Sequence, residues 1–194
     1  FLQTIPVVKL QLLNSDSRII HHPIFSESLK KNKRYDYRRS IKEGTVGQEL
    51  QADSLEAFHH LLTKQMKKRD TRPTHDLDEL YRLNDLLPGR IRLFGALSQN
   101  ILVAATLVFR INRKVSYTFY ITADDDYLEK SGTLVALVTA ASTLKNEKCD
   151  WLDLGPSTFD DFEANEGTCR FKESLGSVMY SRDEWRVTDG KRST

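Results

Sequence analysis

Apolar residues recur in two rhythms along this chain, and the switches between them lay out its elements. Residues 5–13 (IPVVKLQLL) open with β-branched positions and predict a strand. Residues 14–22 turn polar, and helical spacing sets in over 26–44. There Lys30, Arg34, Arg38 and Lys42 recur every four residues and share one face of a predicted helix. Tyr37 and Ile41 mark a different face that can pack, and Gly44 ends the helix. Residues 46–51 predict a short strand. Asp53 followed by Glu56 has capping-box spacing and starts a helix striped by Leu55, Phe58, Leu62 and Met66. A basic stretch, 64–72, ends at Pro73. A second helix over 76–87 carries Leu77, Leu80, Tyr81 and Leu87 before Pro88-Gly89 stops it.

From Ile91 the rhythm becomes that of strands. Residues 91–97, 101–111 and 115–121 are joined by Ser98-Gln99-Asn100 and Asn112-Arg113-Lys114, which predicts a three-stranded antiparallel meander. The run Ala123-Asp124-Asp125-Asp126 reads as a solvated acidic loop. Residues 133–145 are apolar on nearly every side and predict a helix buried against a sheet. Residues 150–154 resume a strand, parallel to the preceding one by the crossover rule, and Gly155-Pro156 stops it. An acidic loop leads to a compact amphipathic turn, 169–175, which Gly176 closes as a left-handed cap. Residues 178–187 predict a last strand, followed by a polar tail expected to fray.

Composition narrows the class. The 194 residues fit one large domain, or one domain with an added arm, and can bury a substantial core. With 39% hydrophobic and 29% charged residues, a soluble globular protein is expected. No apolar run approaches the roughly 18 residues of a membrane span, and residues 1–13 lack a charged leader and a small-residue cleavage site. With no initiator methionine, the sequence is expected to be a processed chain or a portion of a longer one. Cys149 and Cys169 have no metal-ligand spacing, so reduced thiols and a cytoplasmic setting are expected. No metal is expected either. His21-His22-Pro23 has no third ligand nearby, and His59 and His60 diverge by about 100° on a helix.

The net charge is only +2, so charge matters through its placement. The ridge over Lys30, Arg34, Arg38 and Lys42 is either a solvated face or a binding surface for the phosphates of a nucleotide, cofactor or RNA. Ser131-Gly132-Thr133 gives the buried helix a small, open amino end whose N–H groups suit an anion or a carbonyl oxygen.

The element order of strand, helices, meander, buried helix, strand, short helix and strand is similar to that of acyltransferases of the GNAT type. Three blocks resemble the FemAB-like branch of that superfamily, and together they span residues 34–180. The first is residues 34–44 (RYDYRRSIKEG), like the family's arginine-rich helix ending in glycine. The second is the meander with Tyr120, running through Asp126, Tyr127 and the buried helix. The third is Trp151-Leu152-Asp153-Leu154-Gly155-Pro156-Ser157 followed by Phe171-Lys172-Glu173-Ser174-Leu175-Gly176. The resemblance implies an α/β fold with a mixed, mostly antiparallel sheet and helices on both faces. It divides the chain into an N-terminal strand and arm (1–33), a GNAT-like domain (34–187) and a tail (188–194).

The resemblance also implies transfer of an acyl or aminoacyl group from acyl-CoA or aminoacyl-tRNA, used as co-substrate with no tightly bound cofactor. The acceptor would be an amine, in the family a cell-wall or glycan precursor. Many GNAT enzymes cradle coenzyme A with an Arg/Gln-x-x-Gly-x-Gly/Ala loop, whereas residues 128–133 (LEKSGT) hold one glycine. FemAB-like proteins often have two GNAT-like halves. This chain resembles the second, so a partner half or a homo-oligomer is expected.

No G-x-S-x-G elbow or cysteine–histidine signature appears, which agrees with direct attack by the amine. The resemblance singles out Lys172 to neutralise the oxyanion or hold a donor phosphate, with Phe171 either walling the pocket or packing in the core. Asp153, at a strand end, is a candidate general base or a structural hydrogen-bond acceptor. Tyr120 either donates to the carbonyl or packs. Arg38, Arg39, Lys42, Ser131, Gly132 and Thr133 are the candidate donor- or acceptor-binding set. Arg39 lies off the ridge and either joins that set or pairs with an acidic side chain inside the fold. The alternative is a non-catalytic GNAT-like module that binds RNA or an anionic glycan through the basic helix.

Overall fold

The computed structural model describes residues 3–11, 28–158 and 163–184. His21-His22-Pro23 and the tail at 188–194 lie outside them. The strands are β1 (Gln3–Gln11), β2 (Thr45–Leu50), β3 (Ile91–Ser98), β4 (Ile101–Arg110), β5 (Val115–Ala123), β6 (Trp151–Pro156) and β7 (Val178–Glu184). The helices are α1 (Lys31–Lys42), α2 (Leu55–Lys67), α3 (Leu77–Leu86), α4 (Gly132–Asn146) and α5 (Glu166–Ser174). The strands form one sheet in the order β2-β3-β4-β5-β6-β1-β7, in which β5 and β6 are parallel and every other pair is antiparallel. The meander β3–β4–β5 and the parallel return of β6 after α4 follow the sequence pattern. β1, set apart above as part of an arm, runs between β6 and β7 and pairs with both.

Period-two alternation sends neighbouring strand residues to opposite faces, and the core divides accordingly. On one face α4 buries Leu134, Val135, Leu137, Val138, Ala141 and Leu144 among Phe94, Ala104, Val108, Leu152 and Leu154. Tyr37 of α1 and Leu175, just past α5, join the same cluster. On the other face α2 and α3 bring Leu55, Phe58, Leu62 and Leu80 onto Leu93, Ala105, Leu107 and Tyr120. Helices therefore cover both faces of a mixed, mostly antiparallel sheet.

Three local expectations change. α2 starts at Leu55 after a 3-10 turn, Ala52–Ser54, so Asp53 sits inside helical backbone rather than at the extended position a cap requires. Its carboxylate accepts the Ser54 hydroxyl instead, 3.2 Å away. The capping box forms at α3, where Asp76 is extended. Its carboxylate accepts Glu79 N–H at 2.8 Å, and Glu79 accepts Asp76 N–H at 2.9 Å.

Ile41 is exposed, because α1 packs through Tyr37 and Ser40 and Ile41 lies about 100° beyond Ser40. The acidic run after β5 is not merely solvated. Lys64 of α2 donates to Asp124 (2.9 Å) and Asp126 (3.2 Å), and Lys68 donates to Asp125 (2.7 Å).

A second network braces the far edge of the sheet. Arg92 of β3 forks between Glu49 of β2 and Glu147 at the end of α4, each at 2.7 Å, and Arg110 of β4 also reaches Glu147. Cys149 and Cys169 are free thiols. Among the described residues no helix is long and apolar enough to cross a membrane, and no three side chains are grouped to hold a metal.

Candidate functional site

β5 and β6 are joined by three parallel rungs, Val115↔Trp151, Ser116↔Leu152 and Tyr117↔Asp153. The pairing then stops, although β5 continues to Ala123 and β6 to Pro156. The Thr118 hydroxyl donates to the Asp153 carbonyl at 3.1 Å, a side-chain bond where the backbone ladder ends. Two features open the gap. A bulge in β5 leaves Phe119 as an extra residue between the pairs Leu107↔Tyr120 and Val108↔Thr118, which bends the strand. Gly155, at φ +75°, turns β6 away in a conformation that suits glycine.

Lys172 closes the open end. Asn165 caps α5 by accepting Thr168 N–H at 3.0 Å, and the helix carries Lys172 into the interior, 4% exposed. Its ammonium donates to the carbonyls of Gly155 (2.9 Å) and Pro156 (2.6 Å). An ammonium has three donors, and these carbonyls take two. Burial lowers its pKa to about 8, and the charge of Asp153 partly offsets that effect. Asp153 itself accepts Gly155 N–H at 2.9 Å. The carboxylate and the ammonium therefore grip the same turn. Phe171, half-buried, packs against the α4 cluster with the Lys33 ammonium 6.0 Å from its ring centre.

α1 touches the end of the turn that leads into α4. The Ser40 hydroxyl of α1 bonds the Lys130 carbonyl, and Glu43 pairs with the Lys130 ammonium at 3.7 Å. Arg38 and Lys42 are exposed and lie about 160° from Ser40 around α1, on the side away from that contact, and Arg39 is exposed about 100° from it. Ser131 is left-handed at φ 48°, and Gly132 is buried against Ala104 and Val103. Arg39 pairs on the surface with Glu43 at 4.0 Å, not inside the fold, because its side of α1 faces outward. Arg34 leaves the ridge, turning its guanidinium to the Leu29 carbonyl at 3.1 Å. At the other end of α1, Lys30 N–H donates to Ser174 at 3.0 Å and ties the helix to α5.

Tyr120 is not brought to Lys172. It belongs to the cluster under α2 and α3, whereas α5 packs through Phe171 and Leu175 into the cluster of α4. The Tyr120 hydroxyl oxygen accepts His75 N–H at 3.2 Å and lies 3.2 Å from His75 Nδ1. His75 drew no attention in the sequence. It is a single histidine in a loop, and only its place just ahead of the Asp76 cap marks it as held.

Residues 31–173 match the family described as Acetyltransferase (GNAT) domain. No curated protein matches the chain. Among solved structures, FemX is similar with a TM-score of 0.71 and 14% identity, over 91% of this chain and 60% of FemX. The C-terminal domain of a putative lysylphosphatidylglycerol synthetase from Agrobacterium fabrum aligns with a TM-score of 0.62 and 10% identity, over 94% of this chain and 60% of that one. An aminoglycoside acetyltransferase from an uncultured soil metagenomic sample, in complex with trehalose, aligns with a TM-score of 0.53 and 14% identity, over 79% of this chain and 99% of that one. The chain thus spans 60% of the length of the first two.

Proposed function

This chain belongs to the acetyltransferase (GNAT) domain family, and on that premise we propose that it moves an acyl or aminoacyl group from an activated donor to an amine by direct attack. The observation that carries the reading is the buried Lys172 ammonium at the mouth of a parallel strand pair that parts after three rungs. In this reading donor and acceptor meet where β5 and β6 stop pairing, next to Lys172. A fixed cation there stabilises the oxyanion of the tetrahedral intermediate. One well-placed donor of this kind lowers a barrier by about 2.7–4 kcal/mol.

The donor has an anionic handle, acyl-CoA or aminoacyl-tRNA, and its phosphates lie along the exposed Arg38, Arg39 and Lys42 of α1. The exposure of all three cations on one stretch of α1 supports this assignment. The acceptor is an amine on a cell-wall, glycan or lipid precursor, in keeping with the names of FemX, the lysylphosphatidylglycerol synthetase and the aminoglycoside acetyltransferase. A second GNAT-like half or a second copy completes the acceptor site, and the reaction runs in the cytoplasm. In this reading Asp153 positions the 155–156 turn beneath Lys172.

The test supplies labelled acetyl-CoA or aminoacyl-tRNA together with amino sugars, short peptides and aminolipids. Transfer that Lys172→Ala lowers about 100-fold, with the fold retained by circular dichroism, supports the reading. Retention of RNA or an anionic glycan with no transfer from either donor would replace it by the non-catalytic module.

A further inference from the structure

Ser157 follows directly on the turn that Lys172 holds. It is 1% exposed, and its hydroxyl has no hydrogen-bond partner among the described residues. Its backbone, by contrast, is tied down. The Ser157 carbonyl accepts Asn165 N–H at 2.8 Å and the Cys169 thiol at 3.7 Å, and Thr158 bridges to Ala164 one residue on. A buried hydroxyl stripped of water costs stability unless something pairs with it. Five buried side-chain groups lack a partner among the described residues, and Ser157 alone of them adjoins the Lys172 turn.

The same place holds a second unspent donor. Lys172 commits two of its three hydrogens to the Gly155 and Pro156 carbonyls. Its Nζ lies 2.6 Å from the Pro156 carbonyl oxygen, and covalent geometry keeps the Ser157 Oγ within about 5 Å of that same oxygen. Both donors therefore flank one peptide group, at the end of β6 that has parted from β5. We propose that the Ser157 hydroxyl is a catalytic donor to the acyl group, sharing the acyl carbonyl oxygen with Lys172. The proposal rests on the acyl-transfer reading.

As the amine nitrogen bonds to the acyl carbon, the carbonyl π pair moves to oxygen. That oxygen accepts the Ser157 O–H and the third Lys172 N–H. Collapse returns the pair to the carbonyl and breaks the bond to the donor's sulfur or oxygen, which leaves with its electrons. The nitrogen gives one proton to solvent and the leaving group takes one up, so Ser157 and Lys172 keep theirs. A hydroxyl bound only in the intermediate raises kcat without tightening the ground state. Such a donor has to be unpaired in the free chain, with its hydrogen unspent before the oxyanion forms.

Ser157→Ala in the full chain separates this role from a structural one. Thermal unfolding without substrate is expected to give a Tm no lower than the parent's, because the substitution removes a hydroxyl that has no partner there. In the transfer assay with acetyl-CoA or aminoacyl-tRNA, kcat is expected to fall about 100-fold with KM unchanged. A Tm below the parent's overturns the proposal, since the hydroxyl would then be paired within the fold. Parental kcat in Ser157→Ala, with or without a change in KM, removes Ser157 from the chemistry while leaving the transfer reading intact. No transfer by the parent chain defeats both.

Discussion

Lys172 donates to the carbonyl of Pro156 at 2.6 Å from a position almost sealed from solvent. Its hydrogen-bond partners are peptide dipoles, the Gly155 and Pro156 carbonyls. Arg92, by contrast, is spent on two carboxylates, and its pKa is raised, first by its bond to Glu49. A cation held by dipoles keeps more of its field for a reacting group than one neutralised by an ion pair. The fold thus places one kind of cation at the gap and the other at the brace.

Lys172 titrates near 8, well below an ordinary lysine, because burial disfavours its charged form. Between about 8 and the ordinary lysine value the unfolded chain binds more protons at this residue than the folded one, so its contribution to stability rises with pH across that window. Its 13Cε resonance is expected to move with a midpoint near 8 while exposed lysines stay constant. The stability of the parent relative to Lys172→Met should rise over the same interval in urea titrations.

The Asp124 carboxyl is held below its ordinary value, first by its bond to Lys64. A lowered carboxylate pKa adds stability above the unfolded value and loses it as pH falls through the folded one. Asp124→Asn should therefore be less stable than the parent at neutral pH, and the two should converge in acid. Lys64 is raised by the same bond, so the contribution also fades once pH climbs past the ordinary lysine value. Denaturant midpoints across pH, compared between the two chains, measure both limbs.

Gly176→Ala should destabilise the docking of α5. The backbone there is left-handed at φ +83°, and an added Cβ would stand 2.3 Å from the Ser28 carbonyl oxygen. That oxygen is backbone and cannot swing aside. A loss above about 1 kcal/mol is expected, read as a fall of several degrees in Tm.

Arg38→Glu separates the two donors. Against aminoacyl-tRNA it should weaken binding and flatten the salt dependence, by roughly 0.7 log units per lost phosphate contact per decade of salt. Acetyl-CoA, which touches fewer phosphates, should lose less. Filter binding and calorimetry at two salt concentrations measure the contrast. Equal losses for both ligands would place one shared phosphate site at Arg38.

Much of the fold was legible because it rests on short-range rules. Alternation across 91–121 gave the meander, the apolar run at 133–145 gave the buried helix, and the crossover rule gave the parallel return at Trp151. Lys172 stood out only through resemblance. Its burial and carbonyl partners come from residues 16 and 17 positions away, across a turn that no periodicity describes.

The sequence by itself determined which segments are strands and helices and which faces are apolar, since propensity and spacing act within a few residues. It left undecided which helix covers which face, because a period of two separates the faces without naming their partners. Tertiary packing alone set Tyr120 beside His75 rather than Lys172, seated β1 between β6 and β7, and bound Asp124 to Lys64. Those contacts join groups 45 or more residues apart, and they form only after buried layers have ordered the backbone between them.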